Sequence, residues 1–136
     1  MVKFIIGAKG SGKTNKLIES VNEAVKIDKG QLVFINDSKR HMFDLSYKVR
    51  LVDTQEFALK SYEALYGLVC GIISQNYDIS NIFIDSITKI VVGDDFAAAG
   101  EIIDNIATVC DKHNVNLTVT ASIEEAAAPE FVKKYL

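Results

Sequence analysis

Four short β-rich runs recur in this 136-residue chain: VKFII at residues 2–6, QLVFIN at 31–36 and NIFID at 81–85 are apolar along most of their length, and NLTVTAS at 116–122 sets Leu, Val and Ala between small polar residues. A strand with one wet face alternates apolar and polar residues, whereas a strand apolar throughout is covered on both faces. Between the runs, apolar residues recur at helical spacing. Leu17, Ile18, Val21, Ala24 and Val25 mark a helix from Lys13 to about Lys26. Ala58, Tyr62, Leu65, Val69, Ile72 and Ile73 mark a second, opened by Asp53-Thr54-Gln55-Glu56 with Asp53 or Thr54 as cap and running to about Gln75. Ile102, Ile103, Ile106, Val109 and Cys110 mark a third, from Phe96 to about His113. Val49–Asp53 reads as a further short strand, and residues 37–48 carry no assigned element. The stretch IEEAAAPEFVKKYL reads as one or two short helices broken near Pro129. The alternation predicts one α/β domain over residues 1–136, three layers deep, with helices on both faces of a mainly parallel four- to five-stranded sheet.

Composition narrows the function classes. Apolar residues make up 49% and charged residues 24% of the chain, as in ordinary globular domains. The net charge is −3, so the basic excess that underlies general nucleic-acid affinity is missing. The pairs Lys39-Arg40 and Lys133-Lys134 read as solvated surface. The first apolar run is too short for a signal-peptide core or a membrane span, which predicts a cytoplasmic protein without a membrane partner. Cys70 and Cys110 each fall at an apolar helical position and read as reduced core residues. His41 and His113 have no metal partner at useful spacing.

The first strand runs straight into GAKGSGKT, residues 7–14. It matches G-x-x-x-x-G-K-[ST] in full, through Gly7, Gly12, Lys13 and Thr14. Such a loop wraps a phosphate in backbone N–H groups, and its glycines permit the backbone conformations and the close approach. The helix behind it aims its first amides and partial positive charge at the anion. Gly7, Ala8, Lys9, Gly10, Ser11, Gly12, Lys13, Thr14 and Asn15 are the candidate nucleotide-binding residues. Lys13 would bridge the outer phosphates and the Thr14 hydroxyl would ligate Mg²⁺. NIFID ends in a carboxylate, Asp85, at the strand end where open α/β sheets bind ligands; it is a candidate Mg²⁺-organising residue or a helix cap.

Through residues 7–14 the chain resembles the P-loop NTPase superfamily. IFIDSITKI resembles the Walker B segment of RecA/KaiC-type ATPases, and NLTVTAS resembles their next core strand, with Thr120 and Ser122 near the γ-phosphate. The resemblance implies ATP and Mg²⁺ as cofactors and the parallel order 1-4-3-2 for the strands at residues 2, 31, 81 and 116. The first strand would then lie at an edge, covered by the C-terminal segment or a partner. Ala8 stands where the MinD/ParA group has its signature lysine, so Lys9, one place later, is read as a solvent-facing lysine near phosphate.

The pattern departs from that family where hydrolysis is concerned. Serine occupies position 86, directly after the Walker B aspartate, where many relatives carry a catalytic glutamate. RecA-type proteins take it instead from just after the second strand, where this chain has Asn36-Asp37-Ser38. Asp37 is the candidate to orient water, with Glu124 and Glu125, after the last strand, as alternatives. Arg40 and Arg50 are the only arginines, and Arg40 is a candidate finger across a subunit interface. The expectation is an Mg-ATP-binding protein with weak or partner-dependent hydrolysis, acting with a homo-oligomeric or other protein partner. The alternatives are a nucleotide switch that scarcely turns over and a small-molecule kinase, for which two arginines are few. A GTPase fits less well, since Thr88-Lys89-Ile90-Val91 has valine where a guanine-reading aspartate belongs.

Overall fold

The computed structural model describes residues 1–136. Each of the four apolar runs forms a strand: β1 (Val2–Ile6), β2 (Gln31–Asn36), β4 (Ile79–Ile84) and β5 (Asn116–Ala121), with the short β3 at Val49–Asp53. The helices are α1 (Lys13–Ile27), α2 (Tyr62–Gln75), the single-turn α3 (Ile87–Ile90), α4 (Gly100–Lys112) and the short α5 (Glu130–Lys133). All five strands are parallel and form one sheet in the order β1-β5-β4-β2-β3. The four runs thus take the expected order, and β3 adds an edge beyond β2.

Alternate residues of each strand serve opposite faces. On one face Leu17 and Val21 of α1 pack on Leu32, Phe34 and Phe83, with Leu45 of the 37–48 segment beside them. On the other, Leu65, Val69 and Ile73 of α2 and Ile103, Ile106 and Cys110 of α4 cover Val33, Ile35, Ile82, Ile84, Leu117 and Val119. Burying an aliphatic side chain of this size contributes about 1.5–3 kcal/mol. The sheet faces are where most of that burial occurs. No helix is long and apolar enough to cross a membrane.

The exposed edge of β1 is occupied by the chain's own C-terminal segment. Phe4 N–H donates to the Tyr135 carbonyl at 2.8 Å, and the two rings stack with centroids 5.7 Å apart. Tyr135 is held from behind, its hydroxyl donating to Asp104 at 2.7 Å while Lys134 pairs with the same carboxylate at 2.8 Å.

Two helices start later than their sequence patterns predict. Asp53 caps only a single 3₁₀ turn, Thr54–Glu56, by accepting from Gln55 N–H at 3.0 Å. The chain then breaks at Ala58, whose φ is +49° and whose side chain is exposed rather than inward. Ser61 is the cap that opens α2, accepting from Ala64 N–H at 3.1 Å. The third helix is likewise split. Residues 96–98 form a 3₁₀ turn and α4 begins at Gly100, where a Cβ would come within 2.9 Å of the Phe131 ring. The C-terminal segment packs too closely there for any other residue without a shift.

Candidate functional site

A parallel sheet delivers every strand's carboxyl end to one side, where open α/β sheets bind ligands. The glycine loop follows β1 on that side. Gly10 and Gly12 have φ of +83° and +86°, and a Cβ at either would meet open space. Backbone conformation, not crowding, therefore requires glycine at both. At Gly7 a Cβ would lie 2.7 Å from Ser11 Oγ, a hydroxyl that can turn away, so neither backbone conformation nor crowding strictly demands glycine there. The loop closes on itself through Ser11 N–H donating to the Ala8 carbonyl at 3.1 Å. Lys13 folds back over it, Nζ donating to the same carbonyl at 2.8 Å and lying 3.4 Å from Ser11 Oγ. Gly12 precedes α1 without a side-chain cap, and the first turn carries no acidic residue. The opening amides of a 15-residue helix therefore face the loop with nothing to neutralise them.

Behind the loop lies a row of buried polar side chains on the α1 face. Ile35 pairs with Ile84 and Ile84 with Val119. The next residues, Asn36, Asp85 and Thr120, thus stand side by side at the ends of three strands, and none has measurable exposure. Asp85 receives the Thr120 hydroxyl at 2.7 Å, and the Thr14 hydroxyl lies 3.2 Å from both its oxygens. Ser86 N–H in turn donates to Thr120 Oγ at 2.8 Å. Ser86 holds φ at +57°, a left-handed conformation that a non-glycine residue adopts at a cost and that swings the chain from β4 into α3. Asn36 accepts from Asp37 N–H at 2.8 Å but its buried Nδ2 has no partner. Thr14 and Asp85 offer a cation two oxygen-bearing groups, a set that suits Mg²⁺, which keeps several waters of its own.

The loop, the helix start and the strand ends enclose a cavity of about 360 Å³. Its walls carry no apolar residue and no carboxylate. Lys9, Gly10, Gly12, Lys13, Thr14 and Asn15 line it from the loop, Ser86, Lys89 and Ser122 from the ends of β4 and β5, and Arg40 and His41 from the segment after β2. Larger hollows flank β3, but they are lined in good part by aliphatic and aromatic side chains and lack the loop's amides.

Of the residues singled out in the sequence, those of the 7–15 segment form one continuous structure, and Thr14 meets Asp85 across 71 positions of sequence. The candidates for orienting water, Asp37, Glu124 and Glu125, do not line the cavity. Asp37 pairs with Arg40, whose guanidinium nitrogen lies 3.2 Å from Oδ1, and it lines a neighbouring hollow with Thr54, Leu59 and Lys89. Glu124 is exposed on the turn after β5 and does not line the cavity. His41 and Lys89 line the site without any motif that marks them, and Arg40, the candidate finger across a subunit interface, lines the cavity of its own chain. Their signal was positional: each follows the carboxyl end of a predicted strand, on the side where ligands gather. Compared with known proteins, the chain matches no protein-family model and no curated protein.

Proposed function

We propose that the chain binds Mg-ATP through the 7–15 loop and helix start, as a minimal RecA/KaiC-type P-loop domain. The observation that carries this reading is the contact of Thr14 with Asp85, which joins a glycine-loop hydroxyl to a fully buried carboxylate. A buried carboxylate without a cationic neighbour is costly in a fold that gains nothing from it. A divalent ion held by these two groups gives the cost a purpose. When bound, that ion, held by Thr14 and Asp85, would supply positive charge to offset that of the outer phosphates. The strand order supports the same reading, since β5 lies between the loop strand and the Asp85 strand.

The chain's own residues suit binding better than turnover. Hydrolysis requires water to attack the γ-phosphorus and release ADP and phosphate, and a carboxylate aligned on that water speeds it. Neither Asp37 nor Glu124 lines the cavity. This supports slow hydrolysis by the chain alone, quickened by a partner that supplies the missing group, or a switch that reports nucleotide with little turnover. The test is Mg-ATP binding and phosphate release by the natural chain and by Lys13→Ala. Loss of binding in the variant is expected, with phosphate release near background in both. Equal binding by the two proteins would refute nucleotide binding at this loop, and brisk unassisted release that Lys13→Ala abolishes would refute the slow-turnover reading.

A further inference from the structure

We infer that Arg40, acting within its own chain, reads the outermost phosphate and makes the site prefer a nucleoside triphosphate to a diphosphate; this rests on the nucleotide reading above. The strands run β1, β5, β4, β2 across the sheet. The glycine loop addresses phosphate from the β1 end, Asp85 ends β4, and Arg40 follows β2. A phosphate chain extending from the loop toward Asp85 therefore ends on the side from which Arg40 enters. Arg40 lines the same cavity as its own Lys13 and Thr14, so no second subunit is needed to bring it there.

The charge distribution points the same way. Lys9, Lys13, Arg40 and Lys89 meet around one cavity, with His41 beside them and no acidic side chain on its walls, in a chain of net charge −3. Lysines offer point charges, whereas the planar guanidinium matches two phosphate oxygens at once and so suits a terminal phosphate. Arg40 is also free to change partner. Its side chain is 51% exposed, and the buried Asp37 Oδ1, 3.2 Å away, receives no well-formed hydrogen bond. A half-exposed guanidinium held by no well-formed hydrogen bond can turn to a phosphate, which leaves the buried Asp37 Oδ1 without its counter-charge. His41 is steadied by Asp44, 3.1 Å from Nδ1, and holds the loop's next side chain at the cavity wall.

The experiment compares affinities for a non-hydrolysable ATP analogue and for ADP, each with Mg²⁺, by titration calorimetry. The proteins are the natural chain, Arg40→Ala, Arg40→Lys and Lys13→Ala. Losing a hydrogen-bonded charge on a phosphate should weaken analogue binding by Arg40→Ala about 10- to 100-fold, with ADP affinity changed by less than about twofold. Arg40→Lys should recover part of the loss. The nucleotide-free unfolding midpoint of Arg40→Ala should stay at the natural value, which separates recognition from folding. An equal loss for both nucleotides, or no loss for either, overturns the inference while leaving the nucleotide reading intact. Binding by Lys13→Ala as tight as by the natural chain, or no binding by the natural chain, overturns that reading instead. A mixture of Arg40→Ala and Lys13→Ala proteins should show no recovery of tight analogue binding; recovery would mean that the arginine acts between subunits.

Discussion

Replacing Asp85 by asparagine should make the metal-free protein more stable while removing its response to Mg-ATP. Asp85 is fully buried, receives hydroxyl hydrogen bonds from Thr120 and Thr14, and forms no ion pair. Burying an ionised carboxylate costs several kcal/mol even after local relaxation. Its two hydrogen bonds exceed neutral ones by about 1 kcal/mol each. The nearby start of α1 adds about 0.3–1 kcal/mol of favourable field. The remainder is roughly 1–2 kcal/mol of destabilisation. Asparagine keeps the shape, accepts from Thr120 through Oδ1 and offers Nδ2 to Thr14 Oγ. Asp85→Asn should therefore raise the metal-free unfolding midpoint by about 3–8 °C, given the entropy of unfolding of a domain this size. Mg-ATP at a hundred times its dissociation constant should stabilise the natural chain by about 2.7 kcal/mol and leave the variant nearly unmoved. Thermal unfolding with and without Mg-ATP measures both effects. A lower metal-free midpoint for Asp85→Asn would show that the carboxylate serves the fold and would refute the reasoning.

The C-terminal segment gives a second prediction. Tyr135→Ala removes the ring stacked on Phe4 and the hydroxyl bound to Asp104, and should cost about 2–3 kcal/mol by chemical denaturation. The same tether should be sensitive to acid. Lys134 and the Tyr135 hydroxyl hold the Asp104 carboxyl below its ordinary value. A depressed carboxyl contributes stability at pH values above its unfolded pKa of about 4 and loses it as pH falls through the folded value. Hydrogen exchange at Phe4 N–H should accelerate, relative to core amides, as the solution is acidified below about pH 4; an Asp104→Asn protein should lack that change.

The two cysteines should separate by reactivity. Burial pushes the Cys110 thiol up to about 12, whereas Cys70 is only half-buried. A thiol reagent at mildly alkaline pH should label Cys70 in the native protein and both residues after denaturation, as read by intact mass. Native labelling of Cys110 at a rate like that of Cys70 would contradict the packing of α4 on the sheet.

The local features of this protein are written in its sequence because local physics produces them. Strands apolar throughout need cover on both faces, and QLVFIN and NIFID became neighbouring interior strands for that reason. Gly10 and Gly12 stand where the backbone turns left-handed, a demand that one residue type meets cheaply. Even where the sequence misled, the features involved were local: Asp53 and Ser61 both cap, Asp53 a single 3₁₀ turn and Ser61 the helix, with the left-handed Ala58 between them. Arg40, His41 and Lys89 are different. Nothing in their spacing announces a shared cavity, because they follow β2 and β4, strands that become neighbours only through a crossover of more than forty residues. The same holds for Tyr135 on the edge of β1, and for Asp37 and Glu124 beside the cavity rather than in it. Sequence alone determined where the five strands, the bodies of the three long helices and the glycine loop stand. The order of strands in the sheet, a property of the whole chain, decided which side chains face that loop.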